Sequence, residues 1–358
     1  MNYKTAGESH GQGILALIEG FPAGVSINID GINAELQRRQ GGYGRGGRQK
    51  LETDTVEILT GIWRGQSSGA PITLWIKNRD FRIDKAPDVF QPRPGHADLA
   101  GSIKYGEPIR PILERSSARE TAGRVAAGAL AKQYLAARGI SVIGFVKNIG
   151  GFLTDVPEDT LLDYAAVLQR RSQSVFYTLH PEHDERLKAE VDRTAADGDT
   201  LGGIIEVRVF GAPIGLGSCM QWDAKLDGKL AQAVMSVQAQ KGVEIGLGFA
   251  AASTPGSQMH DPIEYDAALA ETSCQGFTRP TNNAGGIEGG MSNGQPIIIR
   301  SAMKPIPTLQ KPLGSVDLRT KENVPTFYER SDVCAVPAGS VVIENAVALT
   351  IAAAILET

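Results

Sequence analysis

Two histidines in glycine-containing turns carry side chains that could move protons at neutral pH. His10 lies in Gly-Glu-Ser-His-Gly at 7–11, and His96 lies in Arg-Pro-Gly-His-Ala-Asp at 93–98. An unperturbed imidazole titrates at about 6.5, so it can donate or accept a proton under ordinary conditions. Glycine near each ring exposes the backbone and leaves room for a ligand. Each turn alone also fits an ordinary histidine in a surface loop.

The segment Arg-Ser-Ser-Ala-Arg-Glu-Thr at 115–121 combines a predicted helix start with positive charge. Ser117, followed by a glutamate at capping-box spacing, predicts a helix from Ser117 to Arg138. A helix N-terminus favours an anion through its free N–H groups and its dipole. Arg115 and Arg119 add cations where a structural helix usually has acids, which favours an oxyanion or phosphate site. The alternative is that both arginines pair with carboxylates elsewhere in the chain.

A glycine- and arginine-rich loop follows the first predicted helix. It could be a flexible arm for single-stranded RNA, or a mobile loop that closes over a small anionic substrate. We favour the substrate loop, because the segment is short, internal and followed directly by the strand-like run Val56–Leu59. Between positions 38 and 50 five glycines are interleaved with the cations Arg38, Arg39, Arg45, Arg48 and Lys50.

Candidate metal ligands are few. His180 and His183 form a His-x-x-His pair, but no third ligand of suitable spacing follows and acidic residues crowd around it. We interpret the pair as part of a solvated helix face and expect no metal site. Cys219, Cys274 and Cys334 are far apart and lack metal-ligand spacing, which predicts buried free thiols in a reducing compartment.

The composition is that of a soluble globular protein. Hydrophobic residues make up 42% of the 358 and charged residues 21%, and the net charge of -4 lacks the basic footprint of a generic nucleic-acid binder. The first motif begins at residue 7, which leaves no room for a signal peptide. The longest largely apolar run, Ala346–Leu356, is too short to span a bilayer. We therefore expect a cytoplasmic protein with no nucleic-acid or membrane partner.

The pattern of segments predicts an α+β fold, in which Ala-rich helices pack on antiparallel sheets. Short strands recur in pairs joined by brief turns, which favours antiparallel pairing. No Gly-x-Gly-x-x-Gly run follows a strand and opens a helix, and there is no Walker loop, which argues against a Rossmann or P-loop fold. Strands are predicted at Ile14–Ile18, Val56–Leu59, Pro71–Ile76, Ser141–Val146, Ile204–Phe210 and Pro296–Arg300, and helices at Ile32–Gln40, Ser117–Arg138, Glu158–Arg171, Pro181–Ala196, Leu226–Gly242 and Gly339–Leu356.

The motifs of this chain, taken in order, resemble those of the chorismate synthase family. The resemblance spans essentially the whole chain and is weakest between about 151 and 197, where no motif lies. The segments that carry it are Gly-Glu-Ser-His-Gly at 7–11, Arg-Pro-Gly-His-Ala-Asp at 93–98, Arg-Ser-Ser-Ala-Arg-Glu-Thr at 115–121, Lys-Gly-Val-Glu-Ile-Gly at 241–246, the Asn-Asn and Gly-Gly run at 282–290, Lys-Pro-Ile-Pro-Thr at 304–308 and Arg-Ser-Asp at 330–332.

The resemblance implies one domain over residues 1–358, a β-α-β sandwich of antiparallel sheets flanking a helical layer, and a homotetramer. It implies a carbon–oxygen lyase that uses reduced FMN to eliminate phosphate from 5-enolpyruvylshikimate 3-phosphate in a 1,4-elimination. The product would be chorismate, formed in the final common step of the shikimate pathway. Whether the chain also reduces its own FMN with NADPH (oxidised to NADP) is left open by the resemblance.

By this resemblance the catalytic residues would be two histidines, one aspartate and two serines. His10 would act as an acid toward the departing phosphate. His96 would protonate or hold the reduced flavin near N1. Asp332, with Ser9 and Ser117, would take part in proton removal through flavin N5.

The same resemblance implies two sets of binding residues. The substrate anions would be held by Arg39, Arg45 and Arg119, with His10 also in contact. FMN would lie against Arg115, Ser116, Ser117, Gln238, Ala239, Gly289, Lys304, Pro305, Ile306, Pro307, Thr308 and Arg330. Gln238 departs from the family pattern, in which we expect Asn or Pro at this position. The departure puts the flavin contact of residue 238 in question.

The chemistry of such a reaction agrees with these residue types. A substrate with a phosphate and carboxylates calls for convergent arginine forks. A phosphate leaving from carbon needs cations and a proton as the bond breaks. Two other functions fit parts of the chain: a phosphate-ester transferase without flavin, and an RNA-binding module that uses the Gly/Arg loop. Flavin binding discriminates against the first, and the absence of salt-dependent RNA binding against the second.

Overall fold

Two antiparallel sheets enclose a layer of long helices. The structure is a computed structural model that describes residues 1–46, 53–157, 163–326, 328 and 331–357. The predicted α+β class, with antiparallel sheets flanking a helical layer, is confirmed. Its helices are α1 Ile29–Gln40, α2 Asp98–Tyr105, α3 Ile109–Ser116, α4 Thr121–Ala136, α5 Tyr164–Gln173, α6 Asp184–Ala196, α7 Leu226–Met235, α8 Gly256–Met259 and α9 Val336–Glu357.

The first sheet consists of β1 Asn2–Ala6, β2 Gly13–Glu19, β3 Val56–Thr60 and β4 Ile72–Lys77, in the spatial order β1-β2-β4-β3. All its pairs are antiparallel. Side chains alternate between the two faces of a strand, so one face is apolar and packs on the helices. The buried residues of that face in the two central strands are Ile14, Ala16, Ile18, Ile72, Leu74 and Ile76.

The second sheet consists of β5 Ser141–Ile149, β6 Phe152–Leu153, β7 Gly203–Phe210, β8 Gln240–Ile245 and β9 Ile297–Met303. Its spatial order is β8-β9-β7-β5-β6, again antiparallel throughout. Two-residue and three-residue ribbons outside the sheets lie at Ile62–Trp63 with Gln66–Ser67, Glu264–Tyr265 with Phe277–Thr278, Ile287–Glu288 with Met291–Ser292, and Gly314–Val316 with Asn323–Pro325.

Helices α4 and α9 pack against each other between the sheets, α4 on β2 and β4 and α9 on β5 and β7. Small residues allow the close approach. A Cβ added to Gly128 of α4 would lie 2.4 Å from the Cβ of Asn345, and one added to Gly123 would lie 3.1 Å from Ile14. The small residues of this helix therefore let α9 and the first sheet approach the α4 backbone.

Among the described residues, α9 is the one helix long and apolar enough to cross a membrane by length and composition. Its 22 residues begin earlier than the predicted Gly339, so the prediction of an apolar run too short to span a bilayer was wrong on length. Most of the helix is buried inside the protein. Its all-round apolar surface follows from its position between two sheets, since a helix covered on every side has no polar face.

A buried ion-pair cluster fixes the middle of α9. Glu344 is fully buried and accepts hydrogen bonds from Arg38 at 2.8 Å, Arg171 at 2.9 Å and the backbone N–H of Gly144 at 2.8 Å, while Lys132 donates to its second oxygen. Burial alone would raise the pKa of this carboxyl, but Arg38, Lys132 and Arg171 hold it well below its ordinary value. The cluster ties α9 to α1, α4, α5 and the second sheet.

The central helix differs from the prediction at its start. Ser117 caps a 3₁₀ turn over Ala118–Glu120 by accepting from the N–H of Arg119 at 3.3 Å, and α4 follows. Glu120 does not complete the predicted capping box, because its carboxylate accepts hydrogen bonds from other parts of the chain. The α-helix is therefore 16 residues long and ends at Ala136, before Arg138.

Several elements were not predicted. Helices α2 and α3 have eight residues each, and the short break between them at 106–108 hides their periodicity. The predicted helix Leu226–Gly242 ends at Met235, and Ala239, with a φ of 69°, turns the chain into β8. Of the predicted helix Glu158–Arg171, residues 158–162 lie outside the described residues, and α5 follows them.

Candidate active site

His10 lies in the turn between β1 and β2, against the last turns of α3. Its Nδ1 is 2.9 Å from Glu114 Oε1, and its backbone N–H donates to Oε2 of the same carboxylate at 2.8 Å. Burial alone would raise the pKa of Glu114, but the hydrogen bonds from His10 hold it below its ordinary value. The other ring nitrogen, Nε2, is 3.6 Å from Asp80 Oδ2. The histidine therefore lies between two carboxylates.

His96 precedes α2 and also has a carboxylate on Nδ1, at 2.5 Å from Asp98 Oδ1. Arg93 donates to Asp98 from its backbone N–H at 3.0 Å and from Nε at 2.8 Å. Burial would raise the pKa of Asp98, yet the hydrogen bonds from His96 and Arg93 hold it well below its ordinary value. Arg93 Nη2 lies 3.1 Å from His96 Nδ1 and 3.4 Å from Nε2. This imidazole therefore lies between an anion and a cation.

Asn78, which directly follows β4, fixes the shape of the His10 turn. Its buried carboxamide donates to the backbone carbonyls of Glu8 at 3.1 Å, Ser9 at 3.2 Å and Gly11 at 2.8 Å. Its oxygen accepts from Arg119 Nε at 2.7 Å. One side chain thus connects the turn that carries His10 to the arginine at the start of the central helix.

The serines of the predicted site divide into two groups. Ser117 Oγ donates to Ser9 Oγ at 3.1 Å, so the two hydroxyls predicted to act together are in contact. Ser116 Oγ instead donates to a backbone carbonyl within α3 at 3.4 Å. The neighbouring Arg115 is exposed and donates to the carbonyl of Thr5 at 2.9 Å. Arg115 and Ser116 lie in the last turn of α3. The segment that was predicted to start one helix is therefore a break between two helices.

Arg39 and Arg119 share the carboxylate of Asp54. Their guanidinium groups lie 2.7 and 2.6 Å from its two oxygens, and all three side chains are buried. Burial would raise the pKa of Asp54, but the two arginines hold it below its ordinary value. Burial lowers the pKa of Arg39, and repulsion from Arg119 and Arg45 adds to this, whereas Asp54 opposes it.

The Gly/Arg loop packs against the segment that carries Asp332. Arg45 Nη1 lies 2.7 Å from Asp332 Oδ2, and the N–H of Gly46 donates to Oδ1 at 2.6 Å. The carbonyl of Gly44 accepts from the N–H of Val333 at 2.9 Å. Gly44 has a φ of 84°, which favours glycine. Arg48 and Lys50 lie outside the described residues.

The loop 304–308 connects the His96 turn to the Asp332 segment. Arg93 Nη1 donates to Thr308 Oγ1 at 2.9 Å, and Ser331 Oγ donates to the Thr308 carbonyl at 2.9 Å. Lys304 Nζ donates to the carbonyl of Gly95. The Lys-Pro-Ile-Pro-Thr motif thus bridges two segments that are far apart in the sequence.

Gln238 and Ala239 join this loop to the start of the central helix. The backbone N–H of Lys304 donates to the Ala239 carbonyl at 2.9 Å. Gln238 Nε2 donates to Glu120 Oε2 at 3.0 Å, and Glu120 Oε1 accepts from Thr5 Oγ1 at 2.5 Å. Gln238 is therefore held by a buried carboxylate of the site, although it departs from the residue expected at this position.

These contacts form one continuous set, which we call the polar network. It brings together every predicted catalytic residue, every predicted anion-binding arginine and half of the predicted flavin residues. Its links between the segments are the pairs His10–Glu114, Ser9–Ser117, Asn78–Arg119, Asp54–Arg39, Arg45–Asp332, Ser331–Thr308, Thr308–Arg93, Arg93–His96, Lys304–Ala239, Gln238–Glu120 and Thr5–Arg115.

Within the described residues, the other predicted flavin residues have no contact of their own in the polar network. Ser116, Pro305, Ile306 and Pro307 lie on segments that the network joins. Arg330 lies outside the described residues. Gly289 lies in the turn of the Ile287–Ser292 ribbon, where a Cβ would meet nothing within 4 Å. The space beside the preceding glycines is filled, because a Cβ at Gly285 would lie 2.3 Å from the Gly246 nitrogen and one at Gly286 would lie 2.6 Å from a backbone carbonyl. These glycines allow close backbone packing.

His180, Glu182 and His183 have candidate ligand atoms within 4.8 Å of one another. Glu182, between the two histidines, is thus a third candidate ligand that was not predicted from the sequence. It is largely exposed and its carboxylate lies 2.7 Å from His180 Nδ1, while His180 Nε2 is 2.9 Å from the carbonyl of Asp155. Nδ1 of His183 is buried and has no hydrogen-bond partner among the described residues. The expectation of no metal here stays a prediction.

Comparison with known proteins identifies the family. A family model described as chorismate synthase matches residues 1–356. The chain belongs to the chorismate synthase family. The chorismate synthase of Geobacter metallireducens is 53% identical over 375 residues, covering 100% of this chain and 94% of that protein. The chorismate synthase of Enterococcus faecalis is 50% identical over 372 residues, with the same coverage. A crystal structure of chorismate synthase superposes with a TM-score of 0.81 at 41% identity, covering 99% of this chain and 91% of that chain.

Features of the polar network fit the anionic flavin expected in a chorismate synthase. Burial and repulsion from Lys241 lower the pKa of Lys304, and an anion between two such ammonium groups relieves that repulsion. Gln238 Oε1 is buried and, within the part of the chain that the structure describes, has no hydrogen-bond partner. A buried acceptor of this kind is costly unless a donor reaches it. The residues present therefore fit a ligand with a phosphate and N–H donors.

Several residues that hold the candidate site together were not predicted from the sequence. Glu114, Asp98, Asp54, Asn78 and Glu120 are buried polar side chains, and each contacts one or more predicted site residues. A signal was present for three of them, because Glu114 directly precedes the Arg-Ser-Ser run, Asp98 ends the His96 motif and Glu120 lies within the 115–121 motif. Nothing in the sequence connects Asp54 to arginines 15 residues before it and 65 residues after it.

Proposed function

We propose that this chain eliminates phosphate from 5-enolpyruvylshikimate 3-phosphate to give chorismate, with reduced FMN as cofactor. The observation that carries the proposal is the polar network, which joins two carboxylate-bound histidines, three anion-binding arginines and Asp332 in one site. The full-length match to chorismate synthases supports the same reaction. Further expectations are one domain over residues 1–358, a homotetramer and a cytoplasmic location.

The arginines would hold the substrate's phosphate and carboxylates. Arg119 and Arg45 both lie close enough to Arg39 for their repulsion to lower its pKa. Nε of Arg39 is buried and lacks a hydrogen-bond partner among the described residues. Guanidinium forks bind phosphate and carboxylate oxygens in pairs. We infer that an anionic group of the substrate relieves the repulsion among these cations.

His10 would act as the general acid that protonates the departing phosphate. Glu114 and Asp80 on its two sides both stabilise an imidazolium, which is the form that can donate a proton. The nearby guanidinium groups would stabilise the negative charge that develops as the carbon–oxygen bond breaks.

FMN would be held by Lys304, Gln238 and Arg115, with the 304–308 loop alongside. When bound, reduced FMN supplies electron density that the elimination needs and recovers it at the end of turnover. His96, held by Asp98, would hold or transfer a proton at the cofactor side of the site. Asp332 and the hydroxyl pair of Ser9 and Ser117 would accept and relay the proton that the substrate loses.

The test is an anaerobic assay of phosphate release with chemically reduced FMN. We expect chorismate and inorganic phosphate in equal amounts, and neither product without flavin. Phosphate release without any flavin would support a flavin-independent phosphate-ester transferase instead. Salt-dependent binding of single-stranded RNA, without turnover of this substrate, would support the RNA-binding alternative.

A further inference from the structure

The carboxylate of Glu114 contacts His10 at two points, the backbone N–H and the ring Nδ1. We infer that Glu114 is a positioning residue, which keeps a proton on Nδ1 of His10 and so makes Nε2 the nitrogen that transfers a proton. This inference rests on the proposed role of His10 and deepens it by naming the reacting ring atom and the side chain that selects it.

The hydrogen-bond geometry determines which ring nitrogen carries hydrogen. Nδ1 lies 2.9 Å from one carboxylate oxygen of Glu114 and 3.0 Å from the other. An ionised carboxylate can only accept, so the nitrogen facing it must donate. The side chain of Glu114 is fully buried, and Arg110 lies 3.5 Å from Oε1. A buried carboxylate bound by a guanidinium and two N–H groups stays ionised and therefore keeps accepting.

The environment of Nε2 suits proton transfer. The ionic group nearest to it among the described residues, Asp80 Oδ2, lies 3.6 Å away, which is beyond a good hydrogen bond. Asp80 is itself paired with Arg82 at 3.1 Å. Nε2 is therefore not committed to a strong partner as Nδ1 is, and it can meet a leaving group that enters the site.

The proton-transfer step then balances. The Nε2–H bond of the imidazolium breaks as an O–H bond forms on the departing phosphate. His10 is left neutral, with its remaining proton on Nδ1 and donated to Glu114, which stays ionised throughout. The ring regains a proton from solvent before the next turnover.

His96 also has a buried carboxylate on Nδ1, but the charged group near its Nε2 is different. Asp98 Oδ1 lies 2.5 Å from Nδ1, and Arg93 Nη2 lies 3.1 Å from Nδ1 and 3.4 Å from Nε2. Nε2 of His10 instead lies 3.6 Å from the carboxylate of Asp80. The two histidines therefore share a carboxylate on Nδ1 and differ in the charge beside Nε2.

The substitution Glu114→Gln tests the inference, because an amide has one acceptor oxygen and one donor NH₂ group. If the oxygen accepts from the backbone N–H of His10, the NH₂ group faces Nδ1 and forces the proton onto Nε2 of the neutral ring. We expect kcat to fall on the order of 10²–10⁴-fold, because the neutral ring then has the wrong tautomer. KM should change little, since no substrate-binding arginine is altered.

A double variant distinguishes the positioning of His10 from a general loss of structure in the active site. If Glu114 acts only through His10, then His10→Ala with Glu114→Gln loses no more kcat than His10→Ala alone. Glu206→Gln is the matched control, because Glu206 is a buried carboxylate bound by Arg208 at 2.8 Å and its ion pairs among the described residues include no histidine. It should keep kcat. Additive losses in the double variant would overturn the inference. An unchanged kcat in His10→Ala would overturn the proposed role of His10 itself.

A measurement on the wild-type enzyme covers the case in which Glu114→Gln does not fold. Histidine side chains labelled with ¹⁵N report by NMR which ring nitrogen is protonated, and His10→Ala assigns the His10 signal. We expect the neutral ring of His10 to carry its proton on Nδ1. A wild-type ring protonated on Nε2 would refute the inference, and loss of the Nδ1–H form in a folded Glu114→Gln enzyme would support it.

Discussion

Replacing Arg45 with alanine tests whether the Gly/Arg loop binds the substrate. Arg45 is paired with Asp332 at 2.7 Å, and its side chain is only 10% exposed. An anionic group of the substrate would pair with the guanidinium of Arg45, which would leave Asp332 free to accept a proton. Arg45→Ala therefore removes an anion-binding group and separates Asp332 from its cation in the same change.

The size of the effect follows from the kind of hydrogen bond that the substitution removes. A hydrogen bond to a charged group contributes about 1.5–3 kcal/mol. At about 1.4 kcal/mol for each factor of ten, kcat/KM should fall roughly 10–150-fold, mainly through a higher KM. Stability should also fall, by about 1–3 kcal/mol, because the change leaves a largely buried carboxylate without its cation. Asp332 keeps the hydrogen bond from the Gly46 N–H and is 18% exposed, so water can reach it.

The assay is steady-state kinetics with reduced FMN under anaerobic conditions, with thermal unfolding of the same preparations. Arg193→Ala is the control, because Arg193 is an exposed arginine paired with Glu190 on α6, outside the polar network. We expect its kinetics to match wild type. If Arg45→Ala left both KM and kcat unchanged, the loop would not be part of the site.

Three other outcomes are expected. Oxidised FMN should bind but give no chorismate under strict exclusion of reductant, and appreciable product would refute a requirement for the reduced cofactor. His96→Ala should lower kcat on the order of 10²–10⁴-fold and change the spectrum of bound reduced flavin, and an untouched spectrum and pH dependence would remove His96 from the cofactor side. The depressed pKa of Glu344 contributes stability above its unfolded value of about 4.3, which is lost as pH falls toward the folded value. Unfolding temperatures between pH 3 and 7 should therefore depend less on pH in folded Glu344→Gln than in wild type, and equal slopes would contradict this.

The sequence predicted the reacting side chains better than the side chains that hold them. His10, His96 and the arginines could be recognised because their residue types report chemistry directly, and their glycine-containing turns are local features. Glu114 could not be assigned, because it lies 104 residues from His10 and its role depends on how α3 packs on the β1–β2 turn.

The dependence on contacts between distant segments also explains the errors in the predicted helices. The spacing of Ser117 and Glu120 is that of a capping box. The carboxylate of Glu120 instead accepts tertiary hydrogen bonds from Thr5 and Gln238. Long apolar strands could be predicted because their pattern repeats over several residues. The eight-residue helices α2 and α3 give too few turns to establish a period.

The position of α9 has a consequence for how the protein is made. Val336–Glu357 follows every strand of both sheets in the chain, yet it packs between α4 and the second sheet. A nascent chain therefore makes α4 and the second sheet before the helix that covers both of them has been synthesised. Exposed apolar faces and strand edges are prone to aggregation. We expect that a chain shortened before Val336 depends on chaperones to stay soluble, and that cooperative folding begins only after α9 has been synthesised.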